Sequence, residues 1–144
     1  MLKGKKVLVL GLAKSGQAAV ELLDKMHATI TVNEFASREK IACYDDYVNR
    51  GIEMVVGGHP DELFERDFEF VVKNPVINYH KPFILRLKER GIPVYTEIEL
   101  GYQLAKHQNY IAITGTNGKT TTVTLIDKIL RDAKHPVSLA GNVG

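Results

Sequence analysis

Two rhythms of apolar positions alternate through the first hundred residues, short β-branched runs and longer stretches of helical spacing, and their succession predicts an α/β fold. Lys6 to Leu10 reads as a buried strand, and Gly11-Leu-Ala-Lys-Ser-Gly16 turns it into a helix with the stripe Ala19, Leu22, Leu23 and Met26. Thr29 to Val32 alternates Thr with apolar residues as a second strand and ends at Asn33-Glu34. Ser37 stands where a helix cap belongs, before apolar positions Ile41, Tyr44 and Val48, with Gly51 as the stop. Glu53 to Val56 is a third strand, followed by the turn Gly57-Gly-His-Pro60. Phe68 to Val72 is a fourth strand, which leaves through Lys73-Asn-Pro-Val76. Phe83 to Leu87 lies in a helix closed by Gly91, and Pro93 to Tyr95 makes a fifth strand. Thr96-Glu-Ile-Glu99 has the form of a capping box, so a helix is expected from Glu97 to about Lys106.

Strands that alternate with helices require crossover connections, so the sheet is expected to be mainly parallel, with helices on both faces. After the polar segment Lys106-His-Gln-Asn109 the pattern restarts. Tyr110 to Thr114 reads as a strand, and a glycine-rich loop follows. Ile126, Ile129, Leu130 and Ala133 form the stripe of a helix, and Val137 to Ala140 reads as a further strand. A domain boundary is expected near the capping-box helix, with residues 1–97 on one side and 98–144 on the other.

Composition narrows the class without changing this picture. The 144 residues are 44% hydrophobic and 25% charged, enough to bury a core. Nineteen basic against 17 acidic residues leave a net charge of +2, spread along the chain, so no polybasic run argues for nucleic acid or membrane. A single cysteine, Cys43, excludes an internal disulfide and fits a reducing cytoplasm. The apolar run Val7 to Leu10 is too short for a signal segment or a membrane span.

The chemistry concentrates in Gly115-Thr-Asn-Gly-Lys-Thr-Thr121. Gly115 and Gly118 remove side chains that would block a phosphate, and loop N–H groups and the following helix start converge on the anion. Lys119 supplies a charge for the outer phosphates, and the Thr120 hydroxyl is placed for magnesium. The strict nucleotide-loop pattern asks for glycine where Ile113 stands, so this is a shorter variant. Earlier in the chain, Gly11-x-Ala13-x-x-Gly16 carries alanine where a dinucleotide fingerprint has its second glycine, which argues against NAD or FAD. Glu34 stands where an acidic residue commonly bonds a ribose. His59 has no second ligand at metal spacing and reads as a loop residue.

These stretches, with Val-Val-Lys-Asn-Pro75, Thr-Glu-Ile-Glu-Leu100 and Ala-Gly-Asn-Val-Gly144, stand in the order found in one family. The chain resembles the ATP-dependent Mur ligases of peptidoglycan synthesis, in particular the branch that adds D-glutamate to UDP-N-acetylmuramoyl-L-alanine. Its phosphate loop also resembles that of the folylpolyglutamate synthetases. The resemblance implies a Rossmann-like first domain that holds the UDP part of the substrate, then the opening of a P-loop ATPase-type central domain. It places ATP phosphates on Gly115, Thr116, Asn117, Gly118, Lys119, Thr120 and Thr121, with Lys119 and Thr120 as catalytic groups and Thr120 nearest Mg2+. Substrate contacts fall on Lys14, Ser15, Glu34 and Asn142. Two departures stand out. Val76 occupies a position where the family usually has glycine, so its β-carbon is expected to narrow the uracil pocket or to forbid a backbone angle. Phe35 and Ala36 leave no cation directly after Glu34.

The implied reaction activates the substrate carboxylate with ATP as an acyl phosphate, which the amine of D-glutamate attacks. The family's other metal ligands, its modified lysine and its glutamate site fall beyond Gly144, so the 144 residues alone are expected to be incomplete as a catalyst, with residues from about 98 onward associating with another chain through the unfinished central domain, packing back on the first domain or staying mobile. Two other classes remain open: a UDP-sugar or nucleotide-binding module without turnover, and a regulatory NAD-type domain, which Ala13 disfavours.

Overall fold

The computed structural model describes residues 2–141. The chain divides into two compact units, Met1–Leu104 and Ala105–Gly144. The first holds a five-stranded, wholly parallel sheet built from β1 (Lys6–Leu10), β2 (Thr29–Glu34), β3 (Glu53–Val56), β4 (Phe70–Lys73) and β5 (Val94–Thr96), in the order β3-β2-β1-β4-β5. The crossovers carry α1 (Lys14–Lys25), a 3-10 turn (Arg38–Lys40), α2 (Tyr44–Asn49), α3 (Asp61–Phe64) and α4 (Pro82–Glu89), and α5 (Glu97–Ala105) follows β5. The expected α/β class and parallel sheet are therefore present.

Period-2 burial explains the layers. Val7, Val9, Ile30, Val32, Phe70 and Val72 point to one face and pack with Ala19, Val20, Leu23, Tyr47 and Leu100. Leu8, Leu10 and Val71 point to the other and pack with Leu63, Phe64, Ile84 and Leu87. A strand buried on both faces reads as a continuous apolar run, which is what β1 shows. The strand order reverses between β1 and β4, so the chain leaves these two neighbours in opposite directions and opens a crevice at their carboxyl ends.

Several local readings require correction. The buried face of α1 is Gly16, Ala19, Val20 and Leu23, whereas Leu22 is exposed and Met26 lies past the helix end. A β-carbon on Gly16 would lie 1.9 Å from the Gly11 carbonyl oxygen, so the helix rests on the strand exit at Gly16. That contact selects the i, i+3, i+4, i+7 set counted from residue 16. The segment after Ser37 is a 3-10 turn and a separate six-residue helix, without a side-chain cap from Ser37. Tyr47 is buried where Val48 was expected. Arg50 explains the phase: its guanidinium donates to Glu21 at 2.8 and 3.0 Å, to Asp24 at 2.5 Å and to Asp46 at 3.1 Å, tying the end of α2 to α1. α3 is too short to show a period in the sequence. β4 and β5 each begin later than expected, and Lys73 belongs to β4 rather than to the turn after it.

The capping box holds. Glu99 N–H donates to Thr96 Oγ1 at 3.3 Å, and Thr96 N–H donates to Glu99 Oε2 at 2.6 Å. In the second unit the one regular element among the described residues is α6 (Lys119–Asp132). Tyr110 to Thr114 and Val137 to Ala140, both read as strands, have no ladder partners and are not strands. A strand exists through its neighbour's hydrogen bonds, and within this unit no described residue offers any. Among the described residues no helix is long and apolar enough to cross a membrane.

Candidate functional site

In the first unit the candidate residues gather at the carboxyl ends of β1 and β2. Gly11, at φ +86°, ends β1, and its N–H donates to the Asn33 carbonyl at 2.8 Å. The turn runs to Ala13, the N-cap of α1, in extended conformation and without a side-chain cap. The first turn of α1 carries no acidic side chain either. Its N–H groups therefore face outward with the positive end of the helix dipole, an arrangement that suits an anion. Lys14, exposed, and Ser15, half-buried, are the first two residues of this turn.

Glu34 closes β2 beside them. Its Oε2 accepts from the Leu12 N–H at 2.6 Å, and its Oε1 accepts from the Ala36 N–H at 3.0 Å. The carboxylate thus clamps the glycine turn to the exit of β2, a role that motif spacing does not reveal because the donors are backbone groups. Leu12, Ala13, Gln17, Glu34, Ala36, Lys40 and Cys43 contribute to the lining of a cavity of about 370 Å³. Lys40 brings to this cavity the cation that is missing directly after Glu34. Glu34→Gln is expected to leave one of the two N–H groups without its acceptor, at a cost of roughly 1–3 kcal/mol. Urea denaturation monitored by circular dichroism checks this.

Val76 is placed without conflict. The turn Asn74 to Ile77 closes with the Ile77 N–H donating to the Asn74 carbonyl at 3.0 Å. Among the described residues only His27 and Lys134 have positive φ outside glycine, so Val76 keeps an ordinary backbone angle. Its side chain is 88% exposed and does not line the cavity.

His59, in the loop after β3, is anchored by a group that the sequence did not single out. The buried Asn33 donates its amide N–H to the Val55 and Gly58 carbonyls, which leaves Oδ1 as acceptor for His59 Nδ1 at 2.5 Å. Nδ1 therefore carries the proton, and the ring lies among Phe35, Phe64 and Phe83. Burial holds its pKa below the ordinary value of 6.5, against the pull of Glu34. The unfolded chain thus binds the proton first as pH falls. The stabilising contribution is complete above 6.5 and is lost toward the lower native value. Stability measured between pH 7.5 and 5 is expected to fall with acid, and His59→Phe is expected to flatten that slope.

In the second unit, Gly115 and Gly118 adopt φ of +147° and +75°, and Gly118 is the N-cap of α6. A β-carbon on Gly118 would meet nothing within 4 Å, so the glycine serves the backbone angle and leaves open space for a ligand. The first turn of α6 has no acidic side chain and no side-chain cap, as in α1. Lys119 Nζ bends back to the Gly115 and Thr116 carbonyls at 2.5 and 3.1 Å. Thr120 and Thr121 are exposed on the opening turn. This donor set, N–H groups, an ammonium and hydroxyls, fits a polyphosphate. A magnesium ion would find the Thr120 hydroxyl and otherwise depend on phosphate oxygens, as that ion commonly does. Asn142 lies outside the described residues. Lys14, Ser15 and Glu34 thus come together in the first unit, and the phosphate-loop residues form a separate set in the second.

Comparison with known proteins agrees with this division. Residues 5–96 match the N-terminal domain of Mur ligases of the MurD-like type, and residues 113–144 match the Mur ligase middle domain. The chain is 46% identical over 144 residues to the UDP-N-acetylmuramoylalanine--D-glutamate ligase of Streptococcus suis, covering 100% of this chain and 32% of that protein. It is 48% identical over 143 residues to the Streptococcus thermophilus ligase of the same name, covering 99% and 32%. The chain therefore spans about a third of the length of these relatives. Among solved structures, a murein peptide ligase from Psychrobacter arcticus superposes with a TM-score of 0.61 at 17% identity, over 96% of this chain and 31% of that one. The UDP-N-acetylmuramate-alanine ligase MurC of Thermotoga maritima does so with a TM-score of 0.56 at 22% identity, over 90% and 30%. These two share the fold. With a parallel sheet of this order, two uncapped helix starts and a family match over most of its length, the chain belongs to the MurD-like Mur ligases.

Proposed function

We propose that this chain supplies the UDP-substrate-binding domain and the ATP phosphate loop of a ligase that adds D-glutamate to UDP-N-acetylmuramoyl-L-alanine. The observation that carries the reading is the cavity at the carboxyl ends of β1 and β2, where the open start of α1 meets the Glu34 carboxylate. An anion-binding turn beside an acceptor for hydroxyl or ring N–H groups matches a nucleoside diphosphate. The names of the relatives supply the substrate.

In this reading Lys14 and Ser15 serve the diphosphate and Glu34 serves the uridine. The loop Gly115 to Thr121 binds the ATP phosphates through its N–H groups. Lys119 exchanges its two carbonyl partners for the outer phosphates and offsets charge as the γ-phosphoryl passes to the alanine carboxylate. That transfer breaks the bond between the γ-phosphorus and the ADP oxygen and forms an acyl phosphate. The D-glutamate amine then attacks the carbonyl carbon, inorganic phosphate leaves, and the amine loses a proton to give the amide. Magnesium, when bound, would be held by Thr120 and would supply charge neutralisation. We infer a cytoplasmic enzyme, since its ATP and nucleotide-linked precursor belong there.

A second reading, binding without turnover by these 144 residues, is favoured by the exposure of the second unit's helix: no residue of α6 is buried, and residues 110–114 belong to no sheet among the described residues. Such a loop is loosely held. Titration calorimetry with UDP-N-acetylmuramoyl-L-alanine, ATP with magnesium, and NAD tests the site, with saturable binding of the UDP compound as the expected result. NAD binding in its place overturns the reading. Phosphate release that depends on D-glutamate separates the ligase from the binding module.

A further inference from the structure

Lys73 ends β4 directly after the apolar Phe70-Val-Val72, and it is 2% exposed. Lysine is rarely buried to this extent, and an ammonium withdrawn from water carries a penalty of several kcal/mol unless it is well paired. Its surroundings meet part of that need. Nζ donates to the Ile77 carbonyl at 2.9 Å and lies 3.9 Å from the centroid of the Tyr79 ring. Burial depresses its pKa below the ordinary 10.5, while Glu99 and Glu97 oppose that shift. An apolar side chain of similar length fills the same space without the penalty, so the gain from an ammonium here is sought in placement rather than stability.

What it places is the turn after β4. The Asn74 N–H donates to the Leu10 carbonyl at 2.9 Å, and the Val76 N–H donates to Asn74 Oδ1 at 3.1 Å. Ile77, whose carbonyl Lys73 holds, closes the turn. Tyr79, under the ammonium, donates its hydroxyl to Glu99 Oε2 at 3.3 Å, the same oxygen that accepts from Thr96 N–H. The turn in its turn rests on Gly11: a β-carbon there would lie 3.3 Å from Asn74 Cβ and 3.7 Å from Ile77 Cδ1. Gly11 and Asn74 follow β1 and β4, and so stand on either side of the point where the strand order reverses.

We propose that Lys73 is a positioning residue for this crevice, holding the Ile77 carbonyl so that the Asn74 to Ile77 turn stays seated on Gly11 and keeps the nucleotide-binding glycine turn in register. The proposal rests on the assignment of the glycine turn after β1 to the UDP substrate.

The test is Lys73→Met in the 144-residue chain, with three readouts. The urea midpoint is expected to stay level or rise, since a buried charge is removed. Hydrogen exchange at the Val76 and Ile77 amides is expected to quicken while the β1 and β2 amides stay protected. The Kd for UDP-N-acetylmuramoyl-L-alanine is expected to weaken about tenfold, the scale of one charge-assisted hydrogen bond. A merely structural lysine gives the opposite pattern, a lower midpoint with unchanged affinity in the folded protein, and that result overturns the proposal. So does unchanged exchange at Val76 and Ile77. If the parent chain binds no UDP compound, the substrate assignment fails, and the exchange readout alone decides whether Lys73 positions the turn. Should Lys73→Met not fold, Tyr79→Leu removes the ring beneath the ammonium and the link to Glu99. It is expected to quicken exchange at the same two amides, and unchanged exchange there counts equally against the proposal.

Discussion

Gly16→Ala is expected to unfold the first unit or leave it only marginally stable. A β-carbon at residue 16 would stand 1.9 Å from the Gly11 carbonyl oxygen and 2.9 Å from its carbonyl carbon. Both are backbone atoms, so no side chain can swing aside. Gly11 cannot retreat either, because its N–H is bound to the Asn33 carbonyl and the turn from β4 packs against it. Relief requires α1 to lift from the sheet, which withdraws Ala19, Val20 and Leu23 from the core. Overpacking commonly costs 1–3 kcal/mol, and a backbone clash of this depth is expected to cost roughly 3 kcal/mol or more, out of a domain stability of about 5–15 kcal/mol. Urea unfolding followed by circular dichroism measures it. A loss below about 1 kcal/mol would mean that α1 tolerates a displacement that the packing does not suggest.

Lys119→Ala is expected to weaken ATP binding by about 10- to 100-fold, the range of one or two hydrogen bonds to a charged group, and to leave affinity for the UDP compound unchanged. The two effects separate because Lys119 belongs to the loop of the second unit, whereas Lys14, Ser15 and Glu34 belong to the first. Lys119 bonds the Gly115 and Thr116 carbonyls, so the variant also loosens the loop, in the same direction as the loss of charge. Calorimetry with each ligand checks both arms. Equal loss of both ligands from a folded variant would contradict the division of labour between the two units.

Part of this molecule was legible because the relevant forces act between near neighbours. Strand runs, the glycine turn and the Gly-Thr-Asn-Gly-Lys loop are local patterns. The capping box is local as well, since Thr96 and Glu99 exchange hydrogen bonds across three residues. The parallel sheet followed from those parts, because helices between strands permit little else.

The rest depended on partners far along the chain. The apolar residues of α1 allowed more than one buried face, and the Gly16 contact with Gly11 chose among them. Arg50 reached back 26 and 29 residues to Asp24 and Glu21, which turned Tyr47 inward in place of Val48. Glu34 had the position of a ribose ligand, but only the fold could place the Leu12 N–H on its carboxylate. Lys73 read as a polar exit from a strand, and the fold closed Ile77 and Tyr79 over it. Tyr110 to Thr114 has the composition of a strand and remains without one. Which segments favour helix, strand or turn, and where phosphate-binding chemistry is concentrated, can be read from chain order, because these are properties of neighbouring residues. Helix phase, the clamp on the glycine turn, the buried lysine and which strands exist come from the folded chain, because each needs a hydrogen-bond or packing partner that chain order alone does not bring near.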